Sequence, residues 1–243
     1  MVIERIQAKT LRQMVYEELR HKIILAELLP GESITLRDLA QKFGVSLMPV
    51  REALWQLESE KIIVIESNKQ IRVNALSSRE MEEALRLRLL LEGTAAERAC
   101  ELRPEAELPR LKRILRTMAS AIDRPRIYMR RNTEFHFAIY EQADSPLLVE
   151  MIERLWARVD PYVYSLAIAV EHQSEAMKHH EDMLRALVSR NKRAMAEALR
   201  RDLGSTAQRI LGALRKANGL FPETIGSRRS SSRAVPAAGT PAE

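Results

Sequence analysis

Cysteine is all but missing from this chain: Cys100 stands alone in 243 residues. That excludes a disulfide framework and fits a reducing compartment. Lying near Ala96, Ala99 and Leu102, the thiol reads as a small core residue. Glycine is scarce, while Ala, Leu, Arg and Glu abound, and that balance favours helices. The longest uncharged apolar run, Pro161 to Val170, is far too short to span a bilayer. The opening MVIERIQAKT lacks the hydrophobic segment of a secretory signal. Also absent are a glycine-rich phosphate loop, a nucleophile elbow and an HExxH pair, which leaves an enzyme without machinery. The expectation is a soluble, cytoplasmic, mainly α protein long enough for two domains. A net charge of +6 permits nucleic-acid binding, yet residues 1–76 carry only +1. Any grip on DNA must therefore come from where a few charges are placed.

The most informative stretch is TLRDLAQKFGVSLMPVREALWQL, residues 35–57. Leu36, Leu39, Ala40 and Phe43 recur at helical spacing, and Val50, Ala53, Leu54 and Leu57 repeat the pattern. Thr35 is placed to cap the first helix, with Asp38 close to a capping box. Gly44 stands where a left-handed residue would end it. Ser46 is placed to cap the second helix, with Pro49 tolerated in its first turn. Met48, Arg51, Glu52 and Trp55 then face away from the apolar side. Upstream, Leu11, Met14, Val15, Leu19 and Ile23 trace another helix, expected to run to about Leu28 before Pro30-Gly31. Downstream, Lys61–Ile65 and Ile71–Val73 read as two short strands joined by a turn. Three helices followed by such a hairpin predict a winged helix-turn-helix over residues 1–75.

The pieces LRQMVYEELRHKIILAELLPGESITLRDLAQKFGVS and PVREALWQLE resemble the DNA-binding domain of the GntR family of bacterial transcription regulators. The resemblance implies a homodimer that reads a short palindromic operator in double-stranded DNA, as a repressor. It carries Arg51 and Arg37 over as DNA contacts and sets Thr35 and Ser46 near phosphates. Lys69, at the wing tip, is expected over the minor groove. Where the family has Arg and Thr before the proline, this chain has Leu47 and Met48. These cannot form the bidentate guanine contact, and a thymine methyl is the alternative target. The wing also has Asn68 and Gln70 in place of the usual glycines.

Beyond a connector at residues 74–79 the pattern is helical throughout. Segments are expected at about Ser78–Leu102, Leu108–Ile122, Pro125–Gln142, Pro146–Glu171, Ser174–Arg190 and Lys192–Lys216. In the first of these, Met81, Leu85, Leu89 and Thr94–Ala96 form the buried side. Short loops predict an antiparallel bundle over residues 76–220. The tail, 221–243, has the composition of an unstructured segment.

Within the bundle, Asn132 and His136 share a helix face in NTEFH, and His180 and Asp202 lie on later helices. Such donors suit zinc, nickel or manganese. The alternative is a hydrogen-bonded core histidine with surface neighbours. RLLLEG, NTEFH, HHEDMLRAL and LRRDLG resemble the FCD effector domain of the FadR-like branch. That resemblance implies a metal site at Asn132, His136, His180 and Asp202. Asp202 departs from the histidine expected there, which shifts preference toward harder ions. His179 is offset from this face. Arg88 is the candidate to engage a small carboxylate effector; an ion pair with Glu92 one turn later is the competing assignment. A metal-dependent hydrolase and a purely dimerising second domain complete the alternatives.

Overall fold

The computed structural model describes residues 9–66, 70–102, 105–169 and 173–216. The wing tip with Lys69 and the tail 221–243 lie outside the described residues. The chain opens with α1 (Leu11–Ile24), capped by Thr10 and Gln13 in a reciprocal capping box. The helix closes at Ile24, short of the expected Leu28. Ala26 takes a left-handed φ of 53°, and the Glu27 amide returns to the Lys22 carbonyl at 2.9 Å. Leu25 and Ala26 pack against the core of the C-terminal bundle, so the chain must turn there. Of the expected stripe, Val15, Leu19 and Ile23 are buried, whereas Leu11 and Met14 are exposed.

Next come β1 (Ser33–Thr35), α2 (Leu36–Phe43) and α3 (Leu47–Ser59). Thr35 accepts from the Asp38 amide, and Gly44 ends α2 at φ 64°, a conformation glycine adopts without a Cβ penalty. Ser46 occupies the N-cap of α3 but makes no side-chain cap bond. β2 (Ile63–Ile65) and β3 (Gln70–Val73) follow. The expected two-stranded wing is a three-stranded antiparallel sheet ordered β1-β3-β2, with Ser33 opposite Arg72 and Ile63 opposite Val73. The second strand starts two residues later than expected, because Lys61 turns the chain at φ 60°.

The C-terminal bundle contains α4 (Ser78–Leu102), α5 (Leu108–Ala119), α6 (Pro125–Tyr140), α7 (Pro146–Ala169), α8 (Gln173–Val188) and α9 (Lys192–Lys216). Cys100 is fully buried in its core, but Thr94, expected inside, faces out. The two parts share a seam. Ala157 of α7 belongs to the apolar core built by α1, α2, α3 and the sheet. The Leu76 amide donates to the Tyr162 hydroxyl at 2.7 Å, and Arg126 of α6 pairs with Glu27 at 3.6 Å. Among the described residues, no helix is long and apolar enough to cross a membrane.

Candidate functional site

Two sets of side chains stand out. The first is the exposed edge of the helix-turn-helix. Burying Val50, Ala53, Leu54 and Leu57 fixes the rotation of α3. Leu47, Met48 and Arg51 are thereby turned to solvent, beside Ser46. Thr35 and Arg37 are exposed at the start of α2. Neither Arg37 nor Arg51 makes an ion pair among the described residues, so both guanidinium groups are available to an anionic partner. This face carries amides at two helix N-termini and cations close by, the equipment for holding phosphates and reading bases.

The second set lies inside the bundle. His136 from α6, His180 from α8 and Asp202 from α9 converge and are almost fully buried. His136 Nε2 lies 3.2 Å from His180 Nε2 and 3.3 Å from Asp202 Oδ2, while His180 Nε2 lies 3.5 Å from Asp202 Oδ1. Asn132, one turn before His136, is half-buried and makes no hydrogen bond to the three. His179 is half-buried beside His180 and outside the cluster.

A hydrogen-bonded chain orients His136. Its Nδ1 lies 3.0 Å from the Tyr140 hydroxyl, which donates to Glu92 Oε2 at 2.7 Å. Burial, with Glu92 alongside, lifts the Tyr140 phenol well above its ordinary value, so it keeps that proton. The hydroxyl therefore accepts from His136 Nδ1–H, the tautomer that turns Nε2 toward the cluster as the ligating nitrogen. Glu92 Oε1 in turn accepts from Arg88 Nε at 2.6 Å. The guanidinium lies 4.5 Å from the centroid of the Trp156 ring. The competing assignment for Arg88 is thus realised, yet only Nε is hydrogen-bonded among the described residues.

Electrostatics favours a cation at the centre. Burial pushes the His180 imidazole down to about 4, against the pull of Asp202. Burial would raise Asp202, but His180, the hydrogen bond from His136 and the nearby His179 outweigh it and hold the carboxyl below its usual range. His180 and Asp202 thus offer a ring nitrogen and carboxylate oxygens beside His136 Nε2, and His180 Nδ1 is buried without a partner among the described residues. Ligands about 2.1 Å from one ion, at angles near 90–110°, are about 3.0–3.4 Å apart. The separations of 3.2 and 3.3 Å fall in that range and the third, 3.5 Å to the other carboxylate oxygen, lies just above it.

Asp160 of α7, which sequence reasoning passed over, is 5% exposed between the two parts of the chain. Burial drives its carboxyl up to about 7, against the attraction of Arg88; Glu92 adds to the rise and Arg20 of α1 opposes it. A carboxyl whose folded pKa exceeds its unfolded one contributes stability at low pH that is lost as pH rises. The loss should run from about pH 4 to about pH 7. Asp160→Asn should therefore gain about 2–3 kcal/mol on the wild type between pH 5 and pH 8. Urea unfolding at both pH values checks it; a pH-independent difference would place the charge in water. Tyr140 was missed too, although its i+4 spacing from His136 was there to read.

The sequence profile of bacterial regulatory proteins of the gntR family matches residues 11–73, and that of the FCD domain matches residues 83–205. The HTH-type transcriptional regulator McbR of Escherichia coli (strain K12) is 30% identical over 195 residues, covering 78% of this chain and 88% of that protein. The HTH-type transcriptional repressor RspR of the same strain is 26% identical over 200 residues, covering 82% and 88%. The solved structure of E. coli McbR/YncC superposes with a TM-score of 0.74 at 28% identity, covering 86% of this chain and 99% of that one.

Proposed function

Because this chain belongs to the GntR family of bacterial regulatory proteins, with an FCD domain behind its helix-turn-helix, we propose that it is a homodimeric, ligand-responsive repressor. In this reading two copies of α3 read a short palindromic operator. The bundle takes up a small organic acid beside a divalent metal ion held by His136, His180 and Asp202, with Asn132 one turn away. The observation that carries it is the single buried network from the three donor side chains through Tyr140 and Glu92 to Arg88. Such an ion supplies a Lewis-acidic anchor for a carboxylate oxygen. Arg88 supplies the second anchor through terminal nitrogens that make no hydrogen bond among the described residues, a geometry suited to bidentate pairing.

Regulation then follows from packing. Arg88 stacks on Trp156 of α7, and Ala157, the next residue, sits in the core of the DNA-binding part. A carboxylate that draws on Arg88 favours one arrangement of α4 against α7, and α1 passes the difference to α3. Linkage requires the acid to bind the free and DNA-bound forms with different affinities.

Arg51→Ala should cost about 1–3 kcal/mol of operator affinity per half-site while leaving the circular dichroism unchanged. The measurement is footprinting and titration of the regulator on DNA upstream of its own coding region, repeated with a panel of mono- and dicarboxylates. Wild-type affinity in the variant would refute α3 as the reader. Equal affinity with and without every acid would leave a bundle that serves dimerisation alone.

A further inference from the structure

We propose that this regulator reads its operator largely through apolar contacts to thymine methyl groups, with Trp55 a specificity-determining residue alongside Leu47 and Met48. The inference rests on α3 being the helix that enters the major groove. Met48, Arg51 and Trp55 lie at i, i+3 and i+7, so they form one stripe along α3. Met48 is 58% exposed, Trp55 55% and Leu47 41%. Single apolar side chains on a surface are ordinary. Three on one short helix, gathered around the arginine of the reading face, are not.

Charge separates the possible targets. A face that grips phosphates is built of lysine and arginine, because counterion release supplies its affinity. Around the stripe, from Leu47 to Trp55, the outward side of α3 carries Arg51 and the half-buried Glu52, whose charges offset each other, and is otherwise apolar; the polar Gln56, Glu58 and Ser59 follow beyond it. In the major groove the C5 methyl of thymine is the apolar group that base pairs present. From Met48 to Trp55 the helix rises about 10.5 Å, roughly three base steps of about 3.4 Å. The ends of the stripe can therefore touch methyls about three steps apart, with Arg51 free to bond a guanine between them.

The test uses the full chain. Duplexes are selected from a randomised library, and affinities are measured by fluorescence anisotropy. Each thymine of the selected site is then replaced by uracil, which removes the methyl and keeps every hydrogen-bonding group. At least two thymines per half-site should lose about fourfold on replacement. Trp55→Ala should weaken binding about tenfold per half-site and abolish the uracil effect at the thymines it contacts, whereas Trp55→Phe should retain both. Uracil without effect at every position, in a site still dependent on Arg51, would overturn the proposal and leave the DNA-reading role of α3 standing. Unchanged DNA affinity in Trp55→Ala, with altered self-association in sedimentation, would assign the stripe to a second copy and likewise overturn it. Failure of the wild type to select any duplex would remove both readings.

Discussion

Glu92→Ala should destabilise the fold by about 3–5 kcal/mol, among the largest effects of a single substitution in this chain. Glu92 is fully buried, with one oxygen bonded to Arg88 at 2.6 Å and the other to Tyr140 at 2.7 Å. Its removal leaves a guanidinium that is 3% exposed with the Trp156 face and Asp160 as neighbours and no hydrogen-bonded counter-charge. Taking one partner from a buried ion pair costs far more than the pair itself contributes, because the remaining charge stays desolvated. Glu92→Gln should cost nearly as much despite its matching shape. The double replacement Arg88→Met with Glu92→Leu should recover part of the loss, since the guanidinium is then no longer stranded. Urea unfolding of the three variants decides the matter. A cost below about 1 kcal/mol for Glu92→Ala would mean that water reaches the pair.

The second large effect concerns the three converging donors. Freshly purified protein should hold about one divalent ion per chain, and its melting temperature should rise when that ion is restored after chelation. His136→Ala and His180→Ala should each abolish uptake, measured by elemental analysis and calorimetric titration with zinc, nickel and manganese. Tyr140→Phe leaves all three donor side chains in place. It removes the acceptor that keeps the proton on His136 Nδ1, and should weaken uptake about 10–100-fold. Asp202→His should move preference from the harder manganese toward zinc and nickel, because a nitrogen donor replaces an oxygen. A wild type that takes up none of the three ions would reduce the cluster to a proton-sharing core.

How much of this was legible beforehand depends on the range of the interaction. The helix-turn-helix could be read from residues a few positions apart: Thr35 bonds the Asp38 amide, Gly44 supplies the left-handed turn, and the apolar spacing of α3 sets which side is buried. The end of α1 was misplaced because it depends on Leu25 and Ala26 packing against a distant bundle. β1 was invisible for a similar reason. Ser33–Thr35 is too short for an alternating pattern, and it is a strand only through pairing with Gln70–Arg72.

Inside the bundle, helical spacing placed each ionisable residue on its own helix and went no further. The sequence by itself determined the helical content, the two helices of the helix-turn-helix and the stock of donors, because capping and amphipathic spacing are local. The tertiary structure alone decided that His136, His180 and Asp202 meet. It alone added Tyr140 to the line through Glu92 to Arg88 and buried Asp160 against Arg88 and near Arg20. Those outcomes depend on how helices far apart in the chain are rotated against one another, and that rotation is set by the packing of the whole core.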